Sequence, residues 1–177
     1  MIALARIDER LVHGQVAVKW TEHVKANRIV VADDETSNNS MMRNLFSSFS
    51  PNGAKVEVLT VNEATARLLT AEYTDPSVRI MVLAKTPKPF LDMLEAGVAF
   101  GELNAGNMGT KPGRKKCVGY FHATDEELGT MKAIRAKGVA VYFQNICDMD
   151  AKKEFDAVVD QGGQEEKRGF FGFKKSK

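Results

Sequence analysis

Short apolar runs alternate with helix-period segments along most of this 177-residue chain. The runs Ile2–Ile7, Arg28–Ala32, Lys55–Thr60, Ser77–Leu83, Glu102–Ala105, Cys117–Phe121 and Val139–Gln144 are rich in Val, Ile or Leu, as buried parallel strands are. Between them apolar positions recur with a helical period. Gln15–Val24 carries Val16, Trp20 and Val24 on one stripe. Asn39–Ser48 carries Met42, Leu45 and Phe46, with Phe49 just beyond, and Val61–Ala71 carries Val61, Ala64, Leu68 and Leu69. Pro87–Ala96 has Thr86 as a cap and Gly97 as a stop. Thr124–Lys137 opens on Thr-Asp-Glu-Glu, a capping-box pattern, and ends at Lys137-Gly138. A last helix is expected over Asp150–Val159. The alternation predicts an α/β fold with a doubly wound parallel sheet.

Length and composition narrow the class. The chain is long enough for one domain with a sizeable core. Lys and Arg number 25 against 23 Asp and Glu, a net charge of +2, so nothing asks for a nucleic-acid partner. Two cysteines, Cys117 and Cys147, lie far apart and read as reduced thiols. No apolar run approaches a membrane span, and the start runs straight into Arg6 without a secretory h-region. The expectation is a cytoplasmic protein.

The chemistry concentrates in Ala5-Arg6-Ile7-Asp8-Glu9-Arg10-Leu11-Val12-His13-Gly14-Gln15-Val16. An apolar run feeds a charged segment, then a His, a Gly and a new helical period. This reads as strand, tight loop, helix, with His13 at the hinge. In open α/β sheets ligands bind at the carboxyl ends of strands, and a helix N-terminus there favours phosphate. Phosphoryl transfer through a histidine needs a neutral imidazole, an acceptor that holds one tautomer, and positive charge at the transferring oxygens. Asp8 is the candidate tautomer-setter and Arg10 the candidate phosphate clamp, since guanidinium binds two phosphate oxygens at once. Gly14 permits close backbone approach. The bland alternatives are an Asp8 turn cap and an Arg10 surface pair with Glu9, Asp33 or Asp34. His23 and His122 read as polar residues satisfied by hydrogen bonds.

The string from Arg6 to Val16, followed by Trp20, resembles the signature of the IIB component of the mannose/fructose/sorbose-type sugar phosphotransferase system. The resemblance covers residues 1–160 and leaves 161–177 as a tail. It implies a three-layer α/β/α domain with a mostly parallel sheet and one antiparallel edge strand. It implies a protein-Nπ-phosphohistidine:sugar phosphotransferase. His13 would accept a phosphoryl group from a IIA component, on the ring nitrogen nearer the main chain, and pass it to a sugar. Arg10 would bind the phosphate, Asp8 matches a motif acid, and Gly14 and Gln15 belong to the phosphate loop. A comparable Asn-x-Gly loop brings Asn104 and Gly106 beside the site. The implied partners are the IIA donor, the membrane components IIC and IID, and a hexose-type sugar. A homodimer is compatible with the resemblance. No organic cofactor is implied and the motif supplies no metal ligand set.

Other segments are less specific. The stretch Asn104–Gly113 is Gly-rich but has neither Walker A nor Gly-x-Gly-x-x-Gly spacing, which argues against a nucleotide or flavin site. Thr110 and Lys111 remain candidate phosphate or partner contacts. Asp33-Asp34-Glu35 reads as a solvated turn, because Thr60-Val61-Asn62 lacks the Asp that a receiver domain needs. The tail carries Phe170, Phe171 and Phe173 beside Lys174, Lys175 and Lys177, and reads as a solvated terminus or a docking peptide for a membrane. The tail also leaves open a second function, a regulatory module of the same fold whose phosphorylated His13 loop signals without turning over sugar.

Overall fold

Seven strands form the central sheet of the computed structural model, which describes residues 1–159. They are β1 (Ile2–Asp8), β2 (Arg28–Ala32), β3 (Lys55–Leu59), β4 (Ile80–Ala84), β5 (Glu102–Asn107), β8 (Ala140–Phe143) and β9 (Lys153–Glu154). Their order is β3-β2-β4-β1-β5-β8-β9. All neighbours are parallel except β8 and β9. The strands arise where Val, Ile and Leu fill both faces, as burial between two helical layers demands. Every residue of β4 is buried.

Alternation along each strand sorts side chains to two faces. Ala5, Ile7, Val30, Val82, Leu103 and Ala105 join one core. That core is covered by α4 (Val61–Leu68), α5 (Ala71–Thr74), α6 (Lys88–Glu95) and α7 (Asp125–Ala136). Leu4, Ile29, Val31, Met81 and Leu83 point the other way, under α1 (Gly14–Val24) and α3 (Ser40–Ser48). The result is a three-layer α/β/α domain. The connection after β1 runs toward β2, and the one after β5 runs toward β8 on the opposite side. The adjacent ends of β1 and β5 therefore form the switch point of the sheet.

Local signals explain most boundaries. Thr60 with Glu63 and Thr124 with Glu127 form complete capping boxes. Asn39 caps α3 through Met42 N–H. Asp33 caps the short α2 (Asp34–Asn38) and pairs with Lys85 at 2.9 Å, so the acidic step is an organised helix start and not a free turn. Three further expectations change. The run Cys117–Phe121 is no strand of the central sheet: Gly119 and Tyr120 turn it into a separate hairpin of β6 (Lys115–Val118) and β7 (Phe121–Ala123), which drops Val118, Phe121 and Ala123 into the core. The helix expected over Asp150–Val159 is confined to 155–159, because Lys153 and Glu154 pair antiparallel with Phe143 and Tyr142. Buried Phe155 then stacks on Phe143 with ring centroids 6.0 Å apart. Thr86 does not cap α6: Pro87 occupies the N-cap position and no side chain makes a capping bond. The tail 161–177 lies outside the described residues, and no described helix is long and apolar enough to cross a membrane.

Trp20 is the largest fully buried side chain among the described residues and lies on the inward stripe of α1, as its spacing predicts. Its indole N–H donates to Asn145 O at 3.0 Å. Trp20→Ala should lower unfolding free energy by about 3–5 kcal/mol, through lost burial and a cavity. Denaturant unfolding followed by circular dichroism would measure it.

Candidate functional site

Four residues from two strands share one face at the switch point. Arg6 and Asp8 alternate with the core residues Ala5 and Ile7 on β1, and Asn104 alternates with Leu103 and Ala105 on β5. All three are buried despite their polarity. Such burial requires partners. Arg6 donates twice to Asp8 Oδ2, at 2.6 and 3.2 Å, and also to Asn104 Oδ1. Its remaining bonds reach Gln144 O at 3.1 Å and Asn145 O at 3.0 Å, in the loop after β8. The guanidinium also lies 5.0 Å from the Trp20 ring centroid, a cation–π contact. Burial lowers the Arg6 pKa from its ordinary value, and the Asp8 carboxylate opposes that shift.

Gly106 is the fourth. The β1–β5 register pairs Ile7 with Ala105 and Asp8 with Asn107, which leaves Gly106 over. A Cβ there would sit 2.1 Å from Arg6 Cζ. Only glycine leaves room for the guanidinium.

Asp8 passes this order outward. Arg10 donates Nε to Asp8 Oδ1 at 2.9 Å and Nη2 to Asp8 Oδ2 at 2.8 Å, while its backbone N–H reaches Oδ1 at 3.1 Å. Arg10 Nη2 also reaches Asn145 Oδ1 at 2.9 Å. The hydrogen bonds that Arg10 donates to Asp8 raise its pKa above the ordinary value. Nη1 keeps no protein partner among the described residues, and the side chain is 31 % exposed. Arg10 is thus held by one edge with donors to spare.

The chain then turns sharply. Leu11 takes φ 55° and its N–H closes on Asp8 O at 3.0 Å. His13 is extended, exposed, and the N-cap of α1, and its ring makes no capping bond. Gly14 opens α1 with φ 46°, a conformation that favours glycine. Gln15 is the second residue of α1. The first turn carries no acidic residue, so its unpaired N–H groups face no competing carboxylate of their own.

The expected residues therefore fall into two connected groups. Asp8, Arg10, Asn104 and Gly106 join through Arg6; His13, Gly14 and Gln15 follow at the helix start. One expected role changes: both Asp8 oxygens are taken by Arg6 and Arg10, and none of the bonds to Asp8 comes from His13. Asp8 holds Arg10 and makes no hydrogen bond to the imidazole. Arg10 pairs with Asp8, not with Glu9, Asp33 or Asp34.

Sequence reasoning missed Arg6, Glu9, Arg114 and Asn145. Glu9 accepts from Gly109 N–H at 2.8 Å, Lys111 Nζ at 2.8 Å and Arg114 Nη1 at 2.6 Å. Arg114 also forks onto Glu127 of α7 at 2.6 and 3.0 Å. These bonds lash the loop after β5 to the His13 loop. Burial pushes the Glu9 pKa up, but hydrogen bonds from Lys111, Arg114 and Gly109 outweigh it and bring it below its ordinary 4.5. The signal for Arg6 was available: a charged residue inside an apolar strand, two positions from an acid. Asn145 carried none.

Two outcomes follow from this geometry. Gly106→Ala should cost about 1–3 kcal/mol by overpacking, and markedly less in an Arg6→Met background where the clashing guanidinium is gone. Urea unfolding of the four proteins reads that coupling. The Glu9 contribution is fully present above pH 4.5, the ordinary value, and fades as pH falls through the lower folded-state value. Stability of Glu9→Gln should therefore approach wild type as pH drops from about 7 to about 3, with wild type the more stable at the upper end.

The description "PTS system sorbose subfamily IIB component" belongs to the family model that matches residues 2–168. The sorbose-specific EIIB component of Klebsiella pneumoniae is 33% identical over 138 residues, 78% of this chain and 83% of that protein. N-acetylgalactosamine-specific phosphotransferase enzyme IIB component 1 of Escherichia coli (strain K12) is 32% identical over 146 residues, 82% of this chain and 90% of that protein. The solved IIBSor domain of the sorbose permease from Klebsiella pneumoniae superposes with a TM-score of 0.85 at 28% identity, covering 91% of this chain and 97% of that one. The chain belongs to the sorbose-subfamily IIB components of the sugar phosphotransferase system, and its role is that of a sugar phosphotransferase component.

Proposed function

We propose that His13 is the phosphoryl carrier of this protein and that Arg10 is its phosphate clamp. The observation that carries the reading is the pairing of an exposed, uncapped His13 at the start of α1 with an Arg10 held through one edge by a buried carboxylate. In the first step a ring nitrogen lone pair of His13, on the atom nearer the main chain, attacks the phosphorus of a phosphorylated IIA donor. The donor's bond to phosphorus breaks and its electron pair stays with the donor. In the second step a sugar hydroxyl oxygen attacks the same phosphorus, the His13 N–P bond breaks, and the hydroxyl proton leaves to a base or water. Both are in-line displacements with a covalent intermediate.

The other residues support charge and position. Arg10 meets the equatorial oxygens with the donors that Asp8 does not occupy, which stabilises charge as it develops. The first-turn N–H groups of α1 add dipoles of the same sign. Gly14 and Gln15 bring that backbone to the phosphate, and Asn104 and Gly106 keep Arg6 and hence Asp8 in place. Lys111 is engaged by Glu9 and serves the loop after β5. The IIA donor, the IIC and IID membrane components and a cytoplasmic site of action belong to this proposal. The relatives are named for different sugars, so the sugar is assigned only as a hexose-type substrate. No feature of the geometry favours the purely regulatory alternative.

Phosphorylation of the purified chain by phosphoenolpyruvate, the general phosphotransferase proteins and a mannose-type IIA tests the carrier. Intact mass should show one acid-labile phosphoryl group on wild type and none on His13→Ala, which should fold normally because His13 is exposed. An unchanged label on His13→Ala would sink the assignment. Arg10→Ala should keep the acceptor but slow transfer by about 2–4 kcal/mol in barrier, two to three orders of magnitude. Quenched-flow labelling resolves the difference, and equal rates would remove Arg10 from the mechanism.

A further inference from the structure

We infer that His23, Cys147 and Asp148 form a site for a borderline divalent transition-metal cation, Zn²⁺ first among them, outside the phosphoryl site. His23 stands in the last turn of α1, and Cys147 and Asp148 lie in the loop after β8. His23 Nδ1 is 3.6 Å from Asp148 Oδ1. One donor atom from each of the three residues lies within 4.8 Å of the other two. Tetrahedral zinc with bonds of about 2.0–2.3 Å places its ligand atoms roughly 3.3–3.8 Å apart. The His–Asp separation already has that length, and small side-chain rotations bring in the sulfur.

The donor set selects the metal class. Thiolate, imidazole and carboxylate together suit Zn²⁺, whereas Mg²⁺ and Ca²⁺ prefer oxygen alone. Three protein ligands leave the fourth position to water, as in an open site. Binding forms a Zn–S bond from the Cys147 sulfur, and the thiol proton leaves to solvent.

The surroundings hold the donors ready. The His23 ring packs edge-on against buried Trp20, with centroids 5.7 Å apart. The loop backbone is braced internally: Gln144 Nε2 donates to Cys147 O at 2.9 Å and to Asp150 O at 2.7 Å, and Ile146 N–H donates to Asp150 Oδ2 at 2.8 Å. His23 and Asp148 are exposed, which gives a cation access. The same loop presents Asn145 to Trp20, Arg6 and Arg10. A cation there would pin the end of α1 to the loop that steadies Arg10. His23 and Cys147 are distant in sequence, so no ligand spacing is legible in the chain.

The full chain, reduced and freed of metal by chelator, should be titrated with Co²⁺ and then Zn²⁺. One equivalent of Co²⁺ should give a thiolate-to-metal charge-transfer band that Zn²⁺ displaces. Cys147→Ser should abolish the band and Cys117→Ser should keep it. His23→Gln and Asp148→Asn, both surface changes that leave the fold intact, should each weaken Zn²⁺ binding by about tenfold or more in calorimetry. Zn²⁺ should raise Tm for wild type and not for Cys147→Ser. A missing band, a band that survives Cys147→Ser, or wild-type Zn²⁺ affinity in the three ligand variants would overturn the site and mark any binding as adventitious.

Discussion

The buried pair between Arg6 and Asp8 organises the switch point of the sheet. A charge buried on a central strand is tolerated only with partners, and removing one partner of such a pair costs about 3–5 kcal/mol. The structure surrounds Arg6 with Asp8 from its own strand, Asn104 from β5, two carbonyls from the loop after β8 and the face of Trp20 from α1. Four segments of chain must therefore be in place before the guanidinium is satisfied. Gly106 belongs to the same constraint through the side chain it lacks.

This constraint creates the electrostatics of the site. One carboxylate, Asp8, is shared by two guanidiniums. The cluster keeps an excess positive charge, which is expressed on Arg10 because Arg6 is sealed from solvent. Next to it, Glu9 and Glu127 balance Lys111 and Arg114. The loop after β5 is thus neutralised while the turn before His13 is not. An arriving phosphate would find its strongest unbalanced charge on Arg10, beside the uncapped start of α1.

The sheet was legible where strands are buried on both faces. Arg28–Ala32 matches its strand boundaries, and the first residues of β1, β3 and β5 were found, because continuous apolar runs have few other places to go. The Thr124 capping box was legible for a similar reason: its bonds are local. The β6–β7 hairpin and β9 were not, since tertiary packing of Phe121 and Phe155 decides those segments. In the site, the motif displayed Asp8, Arg10, His13 and Gly14 because they sit in one short string. It did not display who bonds to whom. The Arg6–Asn104 contact joins two strands, and Arg10 donates to Asn145 in the loop after β8. Such pairings depend on strand order, which periodicity leaves open.

The central proposal is that Asp8 acts through Arg10. The most direct measurement is a double-mutant cycle on the phosphoryl-transfer rate with Asp8→Asn, Arg10→Ala and the pair, each confirmed as folded by circular dichroism. Asp8→Asn should slow transfer strongly in wild type and scarcely further once Arg10 is gone. Additive losses would contradict this and give Asp8 a role separate from Arg10.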